Sequence, residues 1–155
     1  GLMERDSRFQ EGAILYFDPF IFPDGGNPKP KYFLVLKVLD DVCILASLPT
    51  SKDFVPSTIE KIHGCIDRPD INFNCYYFDP NVVICDNGFV FPTETYVYGY
   101  RLQTFKLDSL LLQEITDETI IEECGILAKD EYIAIIRCLS NSPAVKRNYR
   151  KILSA

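Results

Sequence analysis

Two apolar runs, 32–39 and 42–48, follow one another along the chain with only Asp40 and Asp41 between them. Both runs are rich in β-branched and aromatic residues, so the pattern predicts two strands of a hairpin that turns at the two aspartates. Neither run alternates strictly between apolar and polar residues. This near-continuous hydrophobicity indicates strands that are covered on both faces, in the centre of a sheet or barrel.

Antiparallel pairing in this hairpin brings together the segments at its open end. Lys29 and Lys31 precede the first apolar run, whereas Thr50, Ser51 and Lys52 follow the second. The hairpin therefore predicts a cluster of cations and hydroxyls at one sheet edge, and this cluster is the candidate site. The ordinary alternative is a solvated lysine at a strand end beside a simple turn.

Other short apolar runs predict further strands, with turn residues between them. They span 12–17, 75–78, 82–85, 88–91, 95–98 and 101–105. The first is expected to end at Asp18-Pro19, and the polar segment 59–74 is expected to be a loop with one short element. Many short strands with frequent turns favour a small barrel.

The apolar spacing changes to a helical period after residue 106. A helix is predicted for 107–115, and Thr116 to Glu118 predict the start of a second short helix that ends near Gly125. The helix predicted for 129–139 carries an amphipathic stripe, which consists of Tyr132, Ile135, Ile136 and Leu139. Ser142 and Pro143 predict the first residues of a last helix.

Composition predicts one domain over residues 3–155. The chain has 155 residues, 47% of them hydrophobic and 13% aromatic, which is enough to form a core without metal or disulfides and argues against disorder. No run is long enough to span a membrane, and the charged start lacks the apolar segment of a secretory signal. We therefore expect a soluble, cytoplasmic protein.

Six cysteines and a single histidine, His63, offer candidate metal ligands. His63 and Cys65 lie close together, with Cys75 and Cys85 downstream, but structural zinc sites usually bring ligands in close pairs such as Cys-x-x-Cys. We expect no metal, no other cofactor and reduced, buried thiols.

Charge is distributed unevenly along the chain. The formal net charge is −6, which speaks against broad affinity for nucleic acid. Residues 142–155 contain four basic and no acidic residues, which leaves 12 basic and 22 acidic residues, a charge of −10, in the remainder. These four, Lys146, Arg147, Arg150 and Lys151, either contact RNA or form a solvated helix face.

The order of these elements, together with several short motifs, resembles the MazF/PemK family of toxin endoribonucleases over most of the chain. The motifs are Gly12-x-Ile14, Gly25-Gly26, the apolar residues 33–36, Ala46-Ser-Leu-Pro-Thr50, Arg101-Leu-Gln-Thr-Phe105 and the segment 125–139. The resemblance implies an α+β fold, a small SH3-like antiparallel β-barrel with C-terminal helices. A helical stretch at 111–123 is additional to the family pattern.

The resemblance also implies a function and a set of site residues. Members cleave single-stranded RNA without metal, leave a cyclic phosphate, form homodimers and bind a cognate antitoxin. Lys31, or Lys29 if the preceding loop aligns differently, stands where the family has its catalytic arginine, and Thr50 or Ser51 supplies the hydroxyl. Lys29, Lys52 and Arg101 are the expected RNA-binding residues.

A binding module is the alternative function. The same barrel without catalytic activity would bind protein or nucleic acid, and the acidic balance and the lysine at position 31 favour it. The alternating Tyr96, Tyr98 and Tyr100 would then stack bases or pack across strands.

Overall fold

Eight strands and three helices form the part of the chain that a computed structural model describes, residues 6–48 and 55–155. The strands are β1 (Ala13–Phe20), β2 (Lys29–Leu39), β3 (Val42–Ser47), β4 (Gly64–Arg68), β5 (Phe73–Phe78), β6 (Thr95–Tyr98), β7 (Leu102–Lys106) and β8 (Ile120–Ile126). The helices are α1 (Leu107–Thr116), α2 (Lys129–Ser140) and α3 (Arg147–Ser154). The predicted α+β class is confirmed.

The strands form two antiparallel sheets. One has five strands in the order β7-β3-β2-β1-β8, and the other has three in the order β4-β5-β6. The predicted hairpin is β2 and β3, with β2 as the middle strand, and its turn places Asp40 in the left-handed region with φ of 52°. Within residues 6–48 and 55–155 the sheets do not close into a barrel, because β7 and β8 lie at opposite edges and β4 to β6 pair only with one another.

Side chains of the central strands alternate between two cores. Ile14, Leu34 and Ala46 lie in one row across the sheet and face the core that includes α2 and α3. Leu15 and Phe33, in the next row, face the core that includes α1. The prediction that this hairpin is covered on both faces is therefore confirmed.

The second short helix predicted after Thr116 is wrong. Asp117 N–H and Thr119 N–H both donate to the carbonyl of Gln113, and Glu118 has a φ of 56°, so this segment ends α1. The chain then forms β8, which pairs with β1 and buries Ile121 against α1. The extra helical stretch expected at 111–123 is thus the end of α1 and an edge strand.

Two predicted strands, the end of β1 and the start of the last helix also differ from the sequence prediction. The segments 82–85 and 88–91 are loop, apart from a single bridge from Cys85 to Leu127. β1 continues beyond Pro19, which lies at an irregularity in the pairing with β2 where a missing N–H is tolerated. The last helix starts at Arg147, because the Ser142 hydroxyl accepts the N–H of Ala144 in a turn before it.

A disulfide joins Cys65 of β4 to Cys138 of α2, with the Cα atoms 5.5 Å apart. The prediction of six reduced thiols is therefore wrong for this pair. The two cysteines are 73 positions apart in sequence and come together because α2 packs across β4 and β5, which no spacing rule reveals. The four cysteines outside this bond are Cys43, Cys75 and Cys85, which are buried, and Cys124, which is half-buried.

The apolar stripe of α2 packs within the chain. Ile135 and Leu139 are fully buried, and the Tyr132 hydroxyl donates to the carbonyl of Leu36 over 2.6 Å. Tyr132 and Ile136 of the same stripe are half-buried, and the homodimer that the resemblance and this stripe led us to expect stays a prediction. None of the described helices is long and apolar enough to cross a membrane.

Reduction of the Cys65–Cys138 bond is expected to lower the free energy of unfolding by about 4 kcal/mol, because the crosslink closes a loop of 73 residues in the unfolded chain. Urea unfolding of the Cys65→Ser variant measures this loss, and Cys124→Ser, at a free half-buried thiol, is the matched control with a much smaller effect. Six titratable thiols in denatured, unreduced protein would contradict the bond.

Candidate functional site

A cavity of about 540 Å³ opens at the end of the five-stranded sheet, where β2, β3 and β7 meet the loop that follows β1. Its polar wall includes Lys31, Ser47, Arg101 and Gln103. Two of these, Lys31 and Arg101, are residues that the sequence predicted for the site.

Strand register explains why these side chains share one face. Phe33 lies opposite Ser47, and Lys31 is two residues before Phe33, so all three project to the same side of the sheet. On the neighbouring strand, Gln103 lies opposite Leu45, which also belongs to that side. The cavity therefore lies on the face of the sheet that packs against α1.

Aromatic rings form the floor of the cavity. Phe20, Phe33 and Phe105 lie within contact distance of one another, with ring centroids 4.7 to 6.2 Å apart. Phe20 and Phe33 are almost completely buried. A charge placed on this floor is screened weakly, because the wall beneath it has a low dielectric constant.

Lys31 is a half-buried cation above this floor. Its Nζ lies 5.8 Å from the centroid of the Phe22 ring, and the described residues offer it no salt bridge. Desolvation lowers the pKa of Lys31, and the charges of Lys29 and Arg101 lower it further. The structure thus brings Lys29, Lys31 and Arg101 into one electrostatic cluster.

Arg101 is positioned by a short 3₁₀ turn, Gly99–Arg101, between β6 and β7. A Cβ at Gly99 would lie 2.4 Å from Asn74 Oδ1 and 2.7 Å from Val145 Cγ2, so only glycine allows the turn to pack this closely. The guanidinium carbon of Arg101 lies 5.5 Å from the centroid of the Tyr100 ring. Tyr100 is 54% exposed and stands at the cavity.

Three predicted site residues, Thr50, Ser51 and Lys52, lie outside the described residues. Ser47 is a hydroxyl at the cavity that the sequence prediction missed. Ser47 could have been predicted from the hairpin, because it is the last residue of β3, lies opposite Phe33 and therefore shares a face with Lys31. Of the alternating tyrosines, Tyr96 and Tyr98 are buried in a stacked pair, so only Tyr100 presents a ring to solvent.

His63 lies in a different cluster. Its Nδ1 accepts the N–H of Asp79 over 3.1 Å, so Nε2 carries the proton and donates to the carboxylate of Glu131 over 3.1 Å. The hydroxyl of Tyr76 donates to the same carboxylate, and burial together with this bond raises the pKa of Tyr76. With both ring nitrogens engaged, His63 ties β5 to α2 and has no nitrogen left to act as a base.

The described residues contain no group of three or more His, Cys, Asp and Glu side chains arranged to hold a metal ion. Cys65, one of the ligands considered for zinc, is in the disulfide. The expected absence of a metal and of other cofactors stays a prediction.

No protein-family model matches this chain, and no curated protein is significantly similar to it. The predicted membership of the MazF/PemK family stays a prediction.

The ammonium of Lys31 is expected to titrate below the ordinary lysine value of 10.5, because the cavity floor and two cations disfavour its charge. Between the lowered pKa of the folded protein and 10.5, Lys31 is protonated in the unfolded chain but not in the folded one. Burial of the charged lysine therefore lowers the free energy of unfolding at pH values below the folded pKa, and this loss disappears as the pH rises from the folded pKa to 10.5. NMR titration of the Lys31 side chain measures the value.

Lys29→Gln removes one repelling charge and should raise the pKa of Lys31 toward its ordinary value. Lys37, at the other end of the same strand, serves as the internal reference in both proteins. A value for Lys31 at or above 10.5 would rule out the desolvated environment described here.

Proposed function

We propose that this protein is a MazF/PemK-like endoribonuclease, which cleaves single-stranded RNA without metal and leaves a cyclic phosphate. The observation that carries the proposal is the convergence in one cavity of Lys31, on β2, and Arg101, in the turn before β7. The hairpin pattern predicts Lys31 for the site, and Arg101 lies in the motif at 101–105.

The cations suit the chemistry of phosphodiester transesterification. The 2′-hydroxyl oxygen attacks the adjacent phosphorus, a bond from phosphorus to O2′ forms, and the bond to O5′ breaks. Negative charge accumulates on the phosphoryl oxygens in the transition state, where Lys31 and Arg101 stabilise it over a floor of low dielectric constant. A lowered pKa also makes the Lys31 ammonium a better proton donor to the leaving O5′.

Proton removal from the 2′-hydroxyl requires an acceptor. Asp24 lines the cavity, and its Oδ1 accepts the N–H of Gly26 over 2.9 Å, which orients the carboxylate. We assign Asp24 as the proton acceptor. Ser47, or Thr50 or Ser51 as the resemblance implies, orients the phosphate through its hydroxyl.

Tyr100 would bind a base of the RNA, because its exposed ring lies beside the guanidinium of Arg101. Aromatic faces stack on any base, and an arginine next to the ring holds the neighbouring phosphate. Lys29 and Lys52 would contact the backbone farther from the cleaved bond.

The remaining family properties are part of the same proposal. The five-stranded sheet would correspond to the family's SH3-like barrel in an open form, and the protein would act as a homodimer controlled by an antitoxin. In the cytoplasm the Cys65–Cys138 bond would be exposed to reduction, because thiols are kept reduced there. A cytoplasmic enzyme must therefore remain folded after that bond is reduced.

A binding module without catalysis is the second candidate function. It is favoured by the position of His63, which lies outside the cavity with both ring nitrogens hydrogen-bonded, so no histidine base lines the described cavity. The same cavity would then hold a phosphate group without transferring it.

Lys31→Ala is expected to reduce cleavage of a varied single-stranded RNA pool by about 10²- to 10³-fold, the usual cost of removing one preorganised stabiliser of an oxyanion. Lys31→Arg should keep or raise activity, because a guanidinium holds two phosphate oxygens. Cleavage is measured with a chelator present, and the products should carry a cyclic phosphate and a 5′-hydroxyl.

Lys37→Ala is the matched control, since this lysine lies on the same strand outside the cavity. Ser47→Ala, Thr50→Ala and Ser51→Ala then decide which hydroxyl acts. Absence of cleavage by the wild type, or equal cleavage by Lys31→Ala, would leave the binding module as the function.

A further inference from the structure

The last helix carries a cluster of cations that the fold does not use. Lys146, Arg147 and Lys151 are exposed and Arg150 is half-buried, and the described residues place no carboxylate in a salt bridge with any of them. The Nε atom of Arg150 is buried without a hydrogen-bond partner among the described residues. We call these four residues the α3 basic face.

Helix stability does not explain this cluster. Lys146 with Arg150, and Arg147 with Lys151, are like-charge pairs four residues apart, and such pairs destabilise a helix. Lys146 and Arg147 also stand at the N-terminal end of α3, where the helix dipole disfavours cations. The first turns of α1 and α2 instead hold Asp108, Asp130 and Glu131. Of the four cations, only Lys151 lies in the turn where the dipole favours it.

The α3 basic face adjoins the candidate site. The Tyr149 hydroxyl lies 3.3 Å from Thr104 Oγ1 on β7, the strand whose Gln103 and Phe105 line the cavity from its other face. Val145, just before α3, packs against Gly99 at the turn that carries Tyr100 and Arg101. One edge strand and one turn therefore separate the two cationic surfaces.

We infer that the α3 basic face binds the backbone of single-stranded RNA as it passes over β7 and leaves the cavity. The inference rests on the proposed function, which supplies the polyanion, and adds a second contact surface beyond the cleaved bond. Charge complementarity selects this occupant, because the rest of the chain has a formal charge of −10 and would repel a polyanion outside the cavity. A flexible single strand can follow the turn from one sheet face to the other, whereas a stiff duplex cannot.

The double variant Arg147→Gln/Lys151→Gln tests this inference with 2′-O-methyl RNA, which binds without being cleaved. Binding of a twelve-nucleotide strand, followed by fluorescence anisotropy, should weaken about tenfold or more at 0.1 M salt, and the slope of log K against log salt should fall in magnitude by about 1.4. Binding of a dinucleotide, which fills only the cavity, should not change. The matched control is Lys129→Gln/Arg137→Gln, which removes two exposed cations from α2.

Unchanged salt dependence in the α3 variant would overturn the inference, as would an equal loss of affinity for duplex RNA or polyglutamate. A melting temperature below that of the wild type would also contradict it, because the cations would then serve the fold. Cleavage of unmodified RNA is assayed in parallel, so the two hypotheses fail separately. If the wild type does not cleave RNA but the double variant binds the twelve-nucleotide strand more weakly, the basic face is supported and the nuclease is rejected. If the wild type cleaves RNA and the double variant binds as well as the wild type, the nuclease is supported and the inference about the basic face is rejected.

Discussion

Burial of the β2–β3 hairpin on both faces is the constraint on which the rest of the structure depends. Leu34 faces one core and Phe33 the other, so a slip of one residue in register would exchange the two sets of side chains. Truncation of Phe33 to alanine would cost about 3–5 kcal/mol, a large share of the stability of a domain. The same register places Lys31 and Ser47 on one face, so the geometry of the candidate site follows from the packing of the core.

The site residues that the sequence revealed are those fixed by local pairing. Asp40 and Asp41 separate two apolar runs, and antiparallel geometry then determines what lies at the open end of the hairpin. Lys31 could be selected on that basis alone, and Arg101 from its motif. Ser47 follows from the same register, whereas Thr50 and Ser51 were predicted because they follow the second apolar run and because the resemblance implies a hydroxyl there.

Other features depend on contacts between distant segments and leave little local signal. The sequence of β8 does not predict a strand, because Glu122 and Glu123 interrupt its apolar residues. The segment forms a strand because it pairs with the edge of β1 that β2 leaves free. Cys65 meets Cys138 only after α2 has packed across the second sheet. His63 is engaged by Asp79 and Glu131, and neither partner could be chosen from spacing.

The most direct test of the account is an NMR titration of the Lys31 and Arg101 side chains with an RNA dinucleotide that lacks the attacking 2′-hydroxyl. If the cavity holds the phosphodiester, both resonances should shift along one saturation curve, and the mixture of the two free nucleosides should leave them unchanged. Lys37 reports any general effect of ligand or salt. Shifts confined to other parts of the protein, or shifts of equal size with the nucleosides, would contradict the assignment of this cavity as the phosphate-binding site.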